Sequence, residues 1–270
     1  MQQYDFEAVE VGGNMKNSWI GVLLALQFFT VLPIKRQLEM TRQTMTAMYG
    51  AMVVIGILFG AVLSGVYTLL HAANVSTLFL AVILVVVHII CTGGLHLDGY
   101  VDVSDAFFSY GDKEKRLTIL DDPRTGAFGV ISVVVLILLH TAALYELLEQ
   151  QYEWTWVLLL AIPIILRIGV LLYFTTMQCA KTSGIAYYFA SNISIRTVRY
   201  LAIGAWVLLL FVTLYFALWP VVAALVMQLI IVFSYRRWSV KHFGGMNGDL
   251  TGALYEGSNV LLWLTVLLFI

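Results

Sequence analysis

"STLFLAVILVVVHIICTGGLHLDGYVDVSDAFFSYGDKEKRL" occupies residues 76–117. Residues 76–92 carry no Asp, Glu, Lys or Arg; then, past Gly93 and Gly94, Asp98, Asp102 and Asp105 fall close together. A helix that crosses a bilayer needs about 20 mainly apolar residues. A pair of glycines lets the backbone turn where such a run ends. The stretch therefore reads as a membrane helix that stops and hands over to a polar helix at the membrane surface.

The same alternation extends outward along the chain. Its 270 residues are 61% hydrophobic and 11% charged, whereas a soluble domain is about half apolar and a quarter charged. The fold class is all-α: a polytopic membrane helical bundle. Apolar runs predict seven spans, over 45–70, 76–92, 128–148, 156–177, 199–218, 220–235 and 253–270. Pro220 marks a tight turn between the fifth and sixth. The run from Trp19 to Leu32 reaches only about 21 Å at about 1.5 Å per residue. It reads as a re-entrant or interfacial helix ending at Pro33. Residues 1–14 are polar and acidic and precede a second Met at Met15; they read as an upstream extension or cloning scar, leaving 15–270 as one transmembrane domain.

Lys and Arg gather in alternate connections. They occupy 33–44, 93–127, 178–199 and 235–252 and are missing near 71–75, 149–155 and 219. That asymmetry places the basic segments, and with them the loops 93–127, 178–198 and 235–252, on the cytoplasmic side of the membrane. A net charge of −1 gives no reason to expect nucleic-acid binding, and Cys91 and Cys179 alone make neither a disulfide framework nor a zinc site.

On a helix that turns about 100° per residue, positions 98, 102 and 105 lie within about 60° of one another. Carboxylates held that close repel, so one protonates or a cation neutralises them. Hard oxygen ligands with open positions suit Mg²⁺, which keeps waters and accepts phosphates. The remaining face of that helix is apolar, with Tyr100, Val103, Phe107 and Phe108. His96 adds a donor or base. The spacing is not that of an EF-hand, and no Walker A loop is present. In "DDPRTGAFG" (121–129), Asp122 and Arg124 precede a span, and Arg can grip phosphate with a bidentate fork. In "GGMNGDLTGALYEG" (244–257), glycines that let backbone N–H groups approach an anion surround Asn247, Gly248, Asp249 and Glu256. Arg167 lies inside the fourth span, where a charge faces a bundle interior or a wet cavity. It is expected near the cytoplasmic cavity, in reach of Asp249, Glu256 or a bound phosphate.

"TGGLHLDGYVDVSDAFFS", "DPRTGAFG" and "GGMNGDLTGA", with "QFFTVLPI" near the start and "RIGVLLYFTTMQCAKTSGIA" at 167–186, resemble the cobalamin synthase family, the adenosylcobinamide-GDP ribazoletransferases. The resemblance covers most of the chain from Met15. The family commonly has Arg-Asp-Ser-Arg where Asp121-Asp122-Pro123-Arg124 stands, and Thr at Asn247, so no role is carried over to Asp121. The resemblance implies a catalytic domain that transfers the adenosylcobinamide-phosphate group from adenosylcobinamide-GDP to α-ribazole or its 5′-phosphate. GMP is released, with Mg²⁺ as cofactor. Asp98, Asp102 and Asp105 would hold one or two ions. A free carboxylate or His96 would take the hydroxyl proton, and Arg124, Lys181 and Arg167 would clamp anions. A homo-oligomer is left open.

Two other classes fit the composition. A CDP-alcohol phosphotransferase needs DGxxAR, but Tyr100-Val101-Asp102-Val103 follows Asp98-Gly99. A cation transporter places its acids near the midplane, whereas these cluster at one edge.

Overall fold

The computed structural model describes residues 11–270. The extension read at residues 1–14 lies outside them as far as residue 10; from Val11 the chain is already helical. α1 (Val11–Phe29) stops short of Pro33 and packs on α2 (Arg42–Gly50), which Thr41 starts with a capping box. α3 (Met52–Ala72) follows α2 directly, and α4 (Thr77–Thr92) and α5 (Leu95–Phe108) are separated only by the glycine pair. The short α6 (Lys113–Ile119) leads to α7 (Ala127–Glu149) and α8 (Thr155–Thr176). Then come α9 (Ile185–Asn192), α10 (Ile195–Tyr215), α11 (Trp219–Phe243, with Pro220 in its first turn) and α12 (Gly248–Leu267).

Burial sorts these helices. α8 is apolar all round and mostly buried, as a helix of that kind must be. It is the post of the bundle, packed against α3, α10, α11 and α12. α7 and α10 instead expose one face of large apolar side chains, such as Val130, Val134 and Leu138 on α7 and Leu208 and Phe211 on α10. On helices of span length, that face belongs in lipid.

Among the described residues five helical stretches are long and apolar enough to cross a membrane: Arg42–Ala72 as one piece, α7, α8, α10 and α11. Two of the seven predicted spans differ. α4 is short, and the chain bends by 93° between it and α5. Gly93 and Gly94 make that bend with φ of 62° and 73°, left-handed backbone that a side chain would strain. The run at 253–270 is helical, but α12 begins earlier and its first half carries Asp249, Thr251, Glu256, Ser258 and Asn259, so it lacks the apolar length of the others.

α5 packs against α12 at very short range. A Cβ at Gly99 would sit 2.8 Å from the Asp249 Cα, and one at Gly252 would sit 2.8 Å from the His96 carbonyl oxygen. Both are backbone contacts that a flexible side chain cannot relieve. Gly99→Ala and Gly252→Ala are therefore expected to separate the helices, each at a cost of about 1–3 kcal/mol in stability. Thermal unfolding in detergent checks this: melting temperatures equal to that of the parent protein would show that the helices are not in contact there.

Candidate active site

The α5–α12 contact lays the first turn of α12 beside the aspartates of α5. Burial, followed by Asp98, Asp249 and Asp105, pushes the Asp102 carboxyl up to about 6. Burial also raises Asp249, partly offset by a hydrogen bond from Asn247, while Asp98 adds to the rise. Asn247 caps α12, its side-chain oxygen accepting from the Leu250 N–H at 2.8 Å and its amide donating to Asp249 at 2.9 Å.

Asp105 faces elsewhere. Its carboxylate accepts the N–H of Gly126 at 2.6 Å and that of Gly129 at 2.8 Å. It caps the start of α7 from a neighbouring helix, where a negative charge also suits the helix dipole. The helical spacing that groups Asp98, Asp102 and Asp105 is right, but Asp105 is already committed, and the third carboxylate near Asp98 and Asp102 is Asp249. Among the described residues no group of three His, Cys, Asp or Glu side chains is close enough to hold a metal by itself.

A cavity of about 420 Å³ opens beside this cluster. Asp98, Lys181, Asn247, Gly248, Asp249 and Thr251 form the polar part of its lining. Lys181 arrives there because residues 178–180 pair with the loop before α12: the Ala180 N–H donates to the Met246 carbonyl at 2.8 Å and the Met246 N–H to the Gln178 carbonyl at 2.9 Å. Its ammonium pairs with Asp121, also on the cavity, and donates to the Leu117 carbonyl at 3.1 Å. Asp122 and Arg124 are not among the lining residues. They pair with each other at 2.6 Å, Arg124 being 86% exposed, and those bonds hold Asp122 down to about 2.

Arg167 lies behind the cavity wall. It is wholly buried, with its guanidinium over the rings of Tyr255 at 4.8 Å and Phe59 at 5.2 Å. It meets His96 Nε2 at 2.8 Å. A guanidinium only donates, so Nε2 accepts, and the proton of the neutral ring sits on Nδ1. His96 reaches the cavity with one nitrogen's lone pair already used, which makes it a donor rather than a base. Glu256 is buried near His88, at 4.0 Å, and does not line the cavity. The hydrogen-bond partner of Arg167 is thus a histidine two residues from Asp98, not Asp249, while Glu256 lies close enough to act on its charge without an ion pair.

Sequence reasoning missed the aromatic part of the lining, supplied by Phe28, Phe29, Tyr49, Phe174 and Phe189. The one signal available was "QFF" at 27–29.

Two outcomes follow. Asp105→Ala leaves two N–H groups of α7 without their acceptor and is expected to cost about 2–3 kcal/mol, whereas Asp98→Asn leaves the melting temperature unchanged. Equal melting temperatures for the two variants would refute the division. Asp102 carries a raised folded pKa, so the folded chain binds this proton more tightly than the unfolded one, and stability from this group falls as pH rises between about 4 and 6. Asp102→Asn is expected to flatten that part of the metal-free stability profile and raise the melting temperature at pH 7.5; a steeper profile would contradict it.

The chain matches the family described as cobalamin-5-phosphate synthase over residues 21–267. A protein of Geobacillus thermodenitrificans named adenosylcobinamide-GDP ribazoletransferase is 37% identical, over 92% of this chain and 95% of its own length. Relatives with the same name from Geobacillus kaustophilus and Pseudomonas fluorescens are 35% and 34% identical, over 92% and 86% of this chain. No solved structure matches. With the family pattern running from α1 to the end of α12, and with residues of "GGLHLDG" and "GGMNGDLTGA" meeting at one cavity, the chain belongs to the cobalamin-5-phosphate synthase family.

Proposed function

We propose that the chain is an adenosylcobinamide-GDP ribazoletransferase, using α-ribazole or its 5′-phosphate as acceptor. The observation that carries the reading is the polar part of the cavity lining. There Asp98 and Asp249, the Lys181 ammonium and the start of α12 converge in a chain of this family. The first turn of a helix offers free N–H groups and the positive end of a dipole to a phosphate. The match also removes the support for the two alternative readings.

Asp98 and Asp249, with water and the pyrophosphate oxygens completing the set, would hold Mg²⁺. Once bound, the ion supplies charge neutralisation to the attacking and leaving oxygens. Lys181, released from Asp121 by the incoming phosphate, binds a non-bridging oxygen. His96 donates from Nδ1, oriented by Arg167. The acceptor hydroxyl oxygen forms a bond to the phosphorus nearest the corrinoid, the bond from that phosphorus to the GMP oxygen breaks, and GMP departs. The hydroxyl proton goes to a carboxylate of the cluster that does not hold the ion, Asp102, whose carboxyl is raised to about 6, since the His96 Nε2 lone pair is engaged. Phosphoryl transfer needs alignment and charge stabilisation more than covalent help, and these residues supply both. The site faces the cytoplasm of a bacterial inner membrane, on the Lys/Arg asymmetry of the loops.

Release of GMP from adenosylcobinamide-GDP, dependent on α-ribazole and Mg²⁺, tests the reading. Lys181→Ala and Asp249→Asn are each expected to lower kcat/KM about a hundredfold with little change in melting temperature. GMP release that needs no α-ribazole would refute the transfer. Orientation is checked with Lys241→Cys, at an exposed position, made in a variant lacking the two native cysteines. An impermeant thiol reagent is expected to label it only in disrupted cells, and labelling of intact cells would reverse the topology.

A further inference from the structure

The residues that line the cavity are of two unlike kinds, and phosphate chemistry uses only one. The other is contributed by four helices: Phe28 and Phe29 from α1, Tyr49 from α2, Phe174 from α8 and Phe189 from α9. The rings hold one another in place. Phe28 meets Phe189 edge to face at 5.5 Å and 89°, Tyr49 meets Phe189 at 5.7 Å and 68°, and Tyr49 lies 4.6 Å from Phe174. Such pairs favour a fixed geometry. Gln27 steadies the end of α1 by donating to the Ile34 carbonyl at 3.1 Å. Tyr49 is only 4% exposed. Its ring lines the cavity, yet its hydroxyl has no hydrogen bond to any described residue. The hydroxyl is not one of the buried atoms without a partner; it opens to the cavity, where a ligand can pair with it.

We propose that this aromatic part of the lining is the subsite for the base of the acceptor nucleoside, a flat heteroaromatic ring with few polar edge atoms, and that the Tyr49 hydroxyl pairs with one ring nitrogen. The assignment rests on the transferase reading above. Guanine is the wrong occupant. Its amide and amino groups would be buried against phenyl rings with a single hydroxyl to satisfy them, and each unpaired polar group opposes binding. The corrinoid is well beyond drug size and does not fit a cavity of about 420 Å³. The α-ribazole base satisfies both limits, and its ribose then lies toward Asp98 and Asp249, where the hydroxyl must react. The "QFF" of residues 27–29 thereby acquires a role: it builds the wall that selects the acceptor.

The test uses the full chain in detergent, with Phe28→Ala, Phe28→Leu and Tyr49→Phe beside the parent. Two quantities are measured: KM for each substrate from GMP release, and direct binding of radiolabelled α-ribazole by equilibrium dialysis. Stacking of a base on an aromatic ring is worth about 1–3 kcal/mol, so Phe28→Ala is expected to weaken α-ribazole at least about fivefold by both measures. Phe28→Leu, which keeps bulk but not the ring, weakens it less, and Tyr49→Phe weakens it without loss of melting temperature. KM for adenosylcobinamide-GDP stays at the parent value in all three. Unchanged α-ribazole binding in an active set of variants would overturn the subsite alone. So would a rise in KM for adenosylcobinamide-GDP only. A parent protein that releases no GMP would overturn the transferase reading, and this assignment with it.

Discussion

The contact between α5 and α12 governs the chemistry of this protein. Two glycines allow it, Gly99 against the backbone of Asp249 and Gly252 against that of His96. No other pair of residue types lets two helix backbones approach so closely without pushing side chains aside. The result is that carboxylates distant in sequence act on one another's charge, a repulsion that a cation would relieve. Remove the close approach and Asp249 leaves Asp98 and Asp102, the start of α12 turns away, and the cavity loses its polar lining.

Around that contact, the structure separates positioning from reaction. Asp105 ties α5 to the start of α7 through two backbone N–H groups. Arg167 ties α8 to α5 through His96, and it is held between two aromatic rings in the buried centre of the bundle. Neither charge needs to reach the substrate to matter. Each fixes the helix that carries Asp98. A buried guanidinium without a carboxylate within ion-pair distance is costly, and it is tolerated because the stacked rings and the imidazole share its charge.

Much of this was legible in the sequence. Uninterrupted apolar runs predict α7, α8, α10 and α11, and the glycine pair at 93–94 predicts the break between α4 and α5. The aspartate spacing predicts a shared helix face for Asp98, Asp102 and Asp105, since residues three and four apart lie on one side of a helix. What periodicity does not carry is which neighbour each face meets. Asp98, Asp102 and Asp105 share a side by geometry, yet Asp105 is claimed by α7, whose position depends on packing. Asp249 reads as one polar residue in a glycine-rich loop until α12 is laid on α5. The aromatic wall draws single residues from α1, α2, α8 and α9, and no local pattern marks side chains that converge from four helices. α12 misled for a further reason: its first turn lines the cavity and Glu256, Ser258 and Asn259 follow it, so the apolar signal of a span begins late.

The central claim is that Asp98 on α5 and Asp249 on α12 form one cation site. Binding of Mn²⁺ as a spin probe, followed by electron paramagnetic resonance on the purified protein with inorganic pyrophosphate present, tests it most directly. The account predicts that Asp98→Asn and Asp249→Asn each weaken Mn²⁺ binding to a similar degree, and that the double variant is little worse than either single one, because both substitutions damage the same site. Additive losses, or Mn²⁺ binding that depends on Asp105 and is indifferent to Asp249, would contradict it.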